Sequence, residues 1–235
     1  MKKSIKIFTD FDGTISLDDL GDNLFKTFGT IQPYHEQLIA GELRIHDYWK
    51  AIFNELPSNI SEDEIIKWIN DQQIDPYFKK FTEWCNENEI ELKIVSDGFD
   101  LYIRTLLEKN DLDVEFSSNK FIRNDDIFYP EFPGASESCS CFAASCKRNF
   151  ILNNSNDNDV LVFIGDGRSD FCCAEHADIV FAKKLLSVYC NDKRIPHHPF
   201  KSFFDVKKQM EDYLKKGLKK RNIAKVNRKN AFESE

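Results

Sequence analysis

The stretch Ile5-Lys6-Ile7-Phe8-Thr9-Asp10-Phe11-Asp12-Gly13-Thr14 restricts the fold more than any other part of the chain. A β-prone apolar run stops on two carboxylates spaced i, i+2, followed by a glycine and a hydroxyl. Side chains two apart on a strand point the same way, but at a strand's end the chain can turn, bringing one side chain and a neighbouring carbonyl to a single ion. That is the chemistry of a hard cation such as Mg²⁺ holding a phosphate against Asp10, with Asp12 able to give and take a proton. Gly13 lets the backbone approach closely, and Thr14 adds a donor. Alone, the stretch fits a plain strand and Asp-Gly turn equally well.

After Thr14 the apolar period changes from strand to helix. Leu20, Leu24, Phe25 and Phe28 mark one helix, stopped by Gly29; a second follows Pro33 and ends at Gly41. A third, from about Ile45 to Leu56, carries Tyr48, Trp49, Ile52 and Phe53 and stops before Pro57. Ser61-Glu62-Asp63-Glu64 is a capping box opening a fourth, with Ile65, Ile66 and Ile69 inward. Four helices with no strand between them predict a helical insertion at residues 16–75. From Pro76 onward helices and strands alternate: helix Phe78 to Cys85, strand Ile90 to Val95, helix 100–109, a strand around Val114-Glu115-Phe116, a hairpin at Asn124-Asp125-Asp126, helix 145–153, strand Val160 to Ile164, helix 169–176 and strand Ile179 to Ala182. This alternation predicts an α/β fold, a Rossmann-like, doubly wound parallel sheet formed by residues 1–15 and 76–218, with ligands at the carboxyl ends of its strands.

Three such ends repeat the chemistry of the first. Strand 90–95 runs into Ser96-Asp97-Gly98, a hydroxyl and backbone N–H groups suited to a phosphate, although a serine there is also a common helix cap. Lys147, near the start of a helix, has the charge to neutralise a phosphate and the Asp10 carboxylate. Strand 160–164 ends in Gly165-Asp166-Gly167-Arg168-Ser169-Asp170, where Asp166 and Asp170 suit a cation ligand and its support. Each signal has an ordinary structural explanation; four together are hard to obtain by chance.

Charge and cysteine content narrow the setting. The chain carries a net charge of −8; residues 207–235 hold ten Lys/Arg against four Asp/Glu, +6, which leaves −14 for the rest. An acidic body argues against broad nucleic-acid binding, and the basic segment 219–235 reads as a solvated helix end fading into flexible tail. No apolar run reaches the length of a membrane span, and Met1-Lys2-Lys3-Ser4 leads straight into a strand, so a cytoplasmic protein without membrane partners is expected. Seven cysteines, an odd number, fit reduced thiols. Cys139, Cys141 and Cys146 have a spacing suited to a soft metal if Cys190 or a histidine adds a fourth donor. The favoured reading is free thiols packed near Lys147, with Cys172 and Cys173 in the core. His197-His198, between two prolines, reads as loop.

The four motifs, in order from residue 10 to 170, resemble those of the haloacid dehalogenase superfamily, and the insertion after the first resembles the cap of its phosphoserine-phosphatase-like branch. The resemblance implies a Mg²⁺-dependent phosphatase acting on a small phosphorylated metabolite, as a monomer or homodimer. It implies Asp10 as nucleophile and Asp12 as general acid and base, with phosphate held by Ser96, Asp97, Gly98 and Lys147. It also implies metal held by Asp10, the Asp12 carbonyl and Asp166, with Asp170 assisting, and Asp19 facing the substrate from the cap. Within the branch, the Asp-Phe-Asp-Gly-Thr-Ile start, the cysteine-rich run before Lys147 and the strand Ala177 to Ala182 are most similar to the enol-phosphate phosphatases of methionine salvage. Phosphoserine phosphatases carry a cap arginine for the substrate carboxylate. Here Ile52 stands at that position, and Lys50 lies about 200° around the helix. A binding protein on the same fold with its chemistry lost is a competing reading, against which none of Asp10, Asp12, Ser96, Lys147 or Asp166 is replaced; a protein held by structural zinc is another.

Overall fold

The computed structural model describes residues 4–125, 127–136, 139 and 141–233. Residues 1–3 and Asp126 of the expected hairpin lie outside the described residues. Seven strands are found among those described: β1 (Ile5–Thr9), β2 (Glu91–Phe99), β3 (Phe116–Asn124), β4 (Ile127–Glu131), β5 (Val160–Gly165), β6 (Ile179–Ala182) and β7 (His198–Pro199). They form one sheet in the order β4-β3-β2-β1-β5-β6-β7, parallel throughout except for the β3–β4 hairpin at one edge. β1 is central: Ile7 is in register with Leu92 on β2 and with Val162 on β5. From β1 the chain moves outward through β2, β3 and β4, then returns to β5 and moves outward the other way. The point of reversal, between β1 and β5, is where such sheets open a crevice for ligands.

The central strands are apolar on both faces because both faces are covered. On β5, Val162 and Ile164 join one core layer, while Leu161 and Phe163 join the other. The first layer includes α5 (Phe78–Glu87), α6 (Asp100–Lys109) and α10 (Phe203–Lys216), with Phe203 packed on Phe78 and Phe81 at ring-centre distances of 4.8 and 5.1 Å. The second includes α7 (Lys147–Asn153), α8 (Phe171–His176) and α9 (Lys184–Asp192).

Between β1 and α5 lie α1 (Leu20–Phe28), α2 (Tyr34–Ala40), α3 (Ile45–Asn54) and α4 (Glu62–Asn70). The capping box is formed: Ser61 Oγ accepts from the Glu64 N–H at 3.2 Å, and the Ser61 N–H donates to Glu64 Oε2 at 3.0 Å. The chain enters and leaves this segment through one bridge between Ser16 and Ile74. Phe99, at the end of β2, ties the helices to the sheet: its ring meets Trp49 at 4.9 Å and Phe53 at 5.0 Å, edge to face. No helix among the described residues is long and apolar enough to cross a membrane.

Three expectations are corrected. β2 does not end at Val95 but continues through Ser96 to Phe99, with a register shift against β3 between Val95 and Phe99. His198 belongs to a strand, paired with Phe181, too short for periodicity to reveal. The basic tail contains α11 (Asn222–Glu233), packed on α8. Its narrow buried stripe, Ala224, Arg228 and Ala231, is masked in composition by the surrounding lysines. Arg228 there donates to the His176 carbonyl and pairs with Asp178 at 3.3 Å.

Candidate active site

The ends of β1, β2 and β5 and the start of α7 meet at the point where the sheet reverses. The Asp10 N–H donates to the Ile164 carbonyl on β5 (2.9 Å), which seats the turn after β1 beside the turn after β5. Asp10, Asp166 and Asp170 are all buried, and one carboxylate oxygen of each lies within 4.8 Å of the others. Lys147, 1% exposed, contacts Asp10 Oδ1 and Asp170 Oδ1, each at 2.7 Å. Asp170 Oδ2 accepts the N–H groups of Asp166 and Gly167 at 2.9 and 3.0 Å, so this carboxylate fixes both the turn and the lysine.

Burial, reinforced by Asp170, pushes the Asp10 carboxyl well above the ordinary carboxylate range, against the lowering effect of Lys147. Asp166 is raised by burial and by Asp170. Burial opposes charge on Lys147, but the Asp10 and Asp170 carboxylates outweigh it and push the ammonium well above its usual value. A buried excess of carboxylates with hard oxygen donors suits a small divalent cation, which would relieve the repulsion left by one shared lysine. Gly13 adopts φ +66°, and a Cβ there would stand 2.4 Å from Asp166 Oδ2, so the approach of the β1 turn to that carboxylate requires glycine.

Asp12 leaves this cluster and enters the cavity. Its Oδ1 accepts the Leu20 N–H at 2.9 Å and its Oδ2 the Tyr102 hydroxyl at 2.6 Å; the Ser96 hydroxyl stands 3.5 Å away. Burial, with a further contribution from Asp19, raises Asp12 to about 7. Gly98 completes the pocket, since a Cβ there would lie 2.2 Å from Asp12 Oδ2 and closer still to the Tyr102 hydroxyl.

Asp10, Asp12, Asp19, Ser96, Asp97, Gly98, Lys147 and Asp166 all line one cavity. Asp170 sits beneath it. Asp19 is the N-cap of α1, accepting the Asp22 N–H at 2.9 Å while facing the opening. The Asp97 carboxylate turns to the loop before α7, accepting the N–H groups of Ala144 (3.1 Å) and Ser145 (2.8 Å). The Asp97 side chain is thereby committed to that loop, and the Gly98 N–H donates to Ser96 Oγ at 2.9 Å.

Sequence reasoning missed Tyr102, Lys184, Arg168 and Trp49. Tyr102 reads as one more apolar position of α6. Lys184, whose Nζ meets Asp166 Oδ2 at 2.9 Å and whose φ is +47°, follows the end of β6, where the strand-end rule applied to the other motifs would have found it. Arg168 and Trp49 line the outer cavity with Leu38, Ile39, Ile45 and Phe142. Lys50 is exposed and Ile52 fully buried, neither lining it. Cys190 is a core residue, whereas the sulfurs of Cys139, Cys141, Cys146 and Cys172 lie within 4.8 Å of one another.

Residues 7–175 match the family model of haloacid dehalogenase-like hydrolases. The chain is 29% identical over 216 residues to a 2-hydroxy-3-keto-5-methylthiopentenyl-1-phosphate phosphatase of Bacillus cytotoxicus, covering 88% of this chain and 96% of the relative. A protein of the same name from Bacillus cereus strain AH820 is also 29% identical, over 90% of this chain and 98% of its own. Among solved structures, a substrate-bound phosphoserine phosphatase superposes with a TM-score of 0.67 at 18% identity, covering 89% of this chain and 99% of the other. A phospho-aspartyl intermediate analogue of phosphoserine phosphatase gives 0.64 at 18% identity, covering 91% and 99%. With its four motifs assembled around one cavity on a sheet of this topology, the chain belongs to the haloacid dehalogenase-like hydrolase family, an enzyme whose relatives are named as phosphatases.

Proposed function

We propose that the protein is a Mg²⁺-dependent phosphomonoesterase that works through an aspartyl-phosphate on Asp10, with residues 16–75 acting as its cap. The observation that carries the reading is the convergence of Asp10, Asp12, Ser96, Lys147 and Asp166 on one cavity. Lys147 and the Phe11 N–H hold Asp10 Oδ1, each at 2.7 Å, which assigns attack on phosphorus to Oδ2. As the new P–O bond forms, the ester P–O bond breaks and Asp12 gives its proton to the leaving oxygen. Asp12, now a carboxylate, takes a proton from water, whose oxygen attacks phosphorus; the bond to Asp10 breaks and phosphate leaves. A proton affinity near neutrality serves both directions of that exchange. When bound by Asp10, Asp166 and the Asp12 carbonyl, Mg²⁺ supplies positive charge against the phosphate, with Asp170 fixing the turn that carries Asp166. Lys147 and the Ser96 hydroxyl orient the phosphate and neutralise it.

The preferred substrate is a small cytoplasmic phosphomonoester with an apolar tail, the methylthio-enol phosphate named for the relatives being first choice. Leu38, Ile39, Ile45, Trp49 and Phe142 supply apolar surface for that tail. Ile52 offers no charge to an amino-acid carboxylate, and of the cations lining the cavity Lys184 is paired with Asp166 and Arg168 lies over the Phe142 ring, 5.6 Å from its centre. Leaving a charge without its partner costs on the order of 3 kcal/mol, about two orders of magnitude in selectivity. Side-by-side kcat/KM values on the enol phosphate and phosphoserine test this. Phosphoserine as the better substrate would overturn the substrate assignment, and turnover by a folded Asp10→Asn variant would overturn the mechanism.

A further inference from the structure

We propose that Cys139, Cys141, Cys146 and Cys172 form a tetrathiolate site for one zinc ion, which clamps the loop preceding Lys147 to the helix following Asp170. All four sulfurs lie within 4.8 Å of one another. Tetrahedral zinc with Zn–S bonds of about 2.3 Å places its sulfurs about 3.8 Å apart, so a modest contraction closes the site. Disulfide pairing requires only two short separations and gives no reason for all six to be small. It would also pair two of the three loop cysteines with each other.

The surroundings favour thiolate and metal. Arg148, Arg168 and Glu175 line the cavity that Cys139, Cys141 and Cys172 also line, a net positive setting for the −2 of a zinc ion with four thiolates. On binding, four S–H protons pass to solvent and four Zn–S bonds form, without oxidant or reductant. The donor set is soft and distinct from the oxygen cluster of Asp10, Asp166 and Asp170.

The position gives the site a purpose. The connection from β4 to α7, residues 132–146, is long for a compact fold, and its described residues hold no regular secondary structure. Its last residue, Cys146, precedes Lys147, and Cys172 stands two residues after Asp170. Lys147 and Asp170 meet at 2.7 Å, so zinc would fix from behind the two elements whose side chains form that contact. Lys147 must be held in place to serve a phosphate, and cross-linking its loop to α8 provides the support.

Elemental analysis of the full chain, grown with zinc and purified without chelator, is expected to find about one equivalent. Metal-free protein titrated anaerobically with Co²⁺ is expected to show intense near-ultraviolet sulfur-to-cobalt absorption and the visible bands of a tetrahedral ion, both displaced by Zn²⁺. These bands are expected to persist unchanged in Asp10→Asn and Cys190→Ser and to lose intensity and shift in Cys141→Ser and Cys172→Ser. Should those two variants fail to fold, alkylation of the parent decides: zinc is expected to protect four thiols. Absence of zinc together with cobalt spectra lacking sulfur bands would overturn the proposal, as would full alkylation in the presence of zinc or disulfides within the cluster after anaerobic isolation.

Discussion

Replacing Lys147 by methionine is expected to destabilise the Mg²⁺-free protein by about 3–5 kcal/mol, because it keeps the volume of a buried side chain while removing the cation from three buried carboxylates. Carboxylate oxygens 4.8 Å apart repel by on the order of 3 kcal/mol per pair at an effective dielectric of about 20. Lys147 offsets this at two of them, with contacts of 2.7 Å to Asp10 and Asp170. For a domain of this size the loss corresponds to a fall in Tm of roughly 6–20 °C. Asp10→Asn is expected to move the other way, since it removes one repelling charge and Asp10 already resists ionisation. It should abolish turnover while leaving Tm unchanged or raised. Added Mg²⁺ should stabilise the parent more than Asp10→Asn, because the variant lacks one ligand charge. Calorimetry with and without Mg²⁺ on parent, Lys147→Met, Asp10→Asn and the double variant closes the cycle. A Lys147→Met protein melting within a degree or two of the parent, or an Asp10→Asn protein as unstable as Lys147→Met, would refute the reasoning.

Tyr102→Phe removes a 2.6 Å hydrogen bond to Asp12 that favours the carboxylate; at about 1.5–3 kcal/mol for a charged acceptor, the acidic limb of kcat against pH should move up by about 1–2 units. An unmoved profile would reduce Tyr102 to packing. Asp97 is raised to about 6, first by burial, so the unfolded chain releases this proton before the native one does. The group's contribution is therefore greatest below about pH 4 and is lost as pH rises through 6. Denaturant unfolding from pH 4 to 7 should show Asp97→Asn gaining up to about 3 kcal/mol on the parent, and a constant difference would contradict the assignment. Arg228→Met breaks a buried pair with Asp178 and should cost about 3 kcal/mol of stability while leaving kcat/KM nearly unchanged; no change in Tm would mean that α11 does not dock as described.

Much of the molecule was legible in the sequence because its signals are local. The apolar run of β5, the capping box at Ser61 and the motifs at Asp10, Ser96 and Asp166 each depend on neighbours within a few residues. Strand ends carrying charge and glycine also announce a ligand wherever parallel strands finish together. Tertiary structure alone decided which distant groups meet. Tyr102 reads as a core residue until β2 brings α6 beside Asp12, and Asp97 reads as part of a phosphate turn until its carboxylate is found holding Ala144 and Ser145. Cys172 reads as core, and Cys190 or a histidine as the fourth donor, until α8 carries Cys172 to the loop and Cys190 is found in the core. The tail reads as solvated because Lys219, Lys220, Arg221, Lys225 and Lys229 outweigh the stripe of Ala224, Arg228 and Ala231 that α8 covers. Composition and period report what a segment can bury or bind, whereas its partner is chosen by the path of the chain through the sheet.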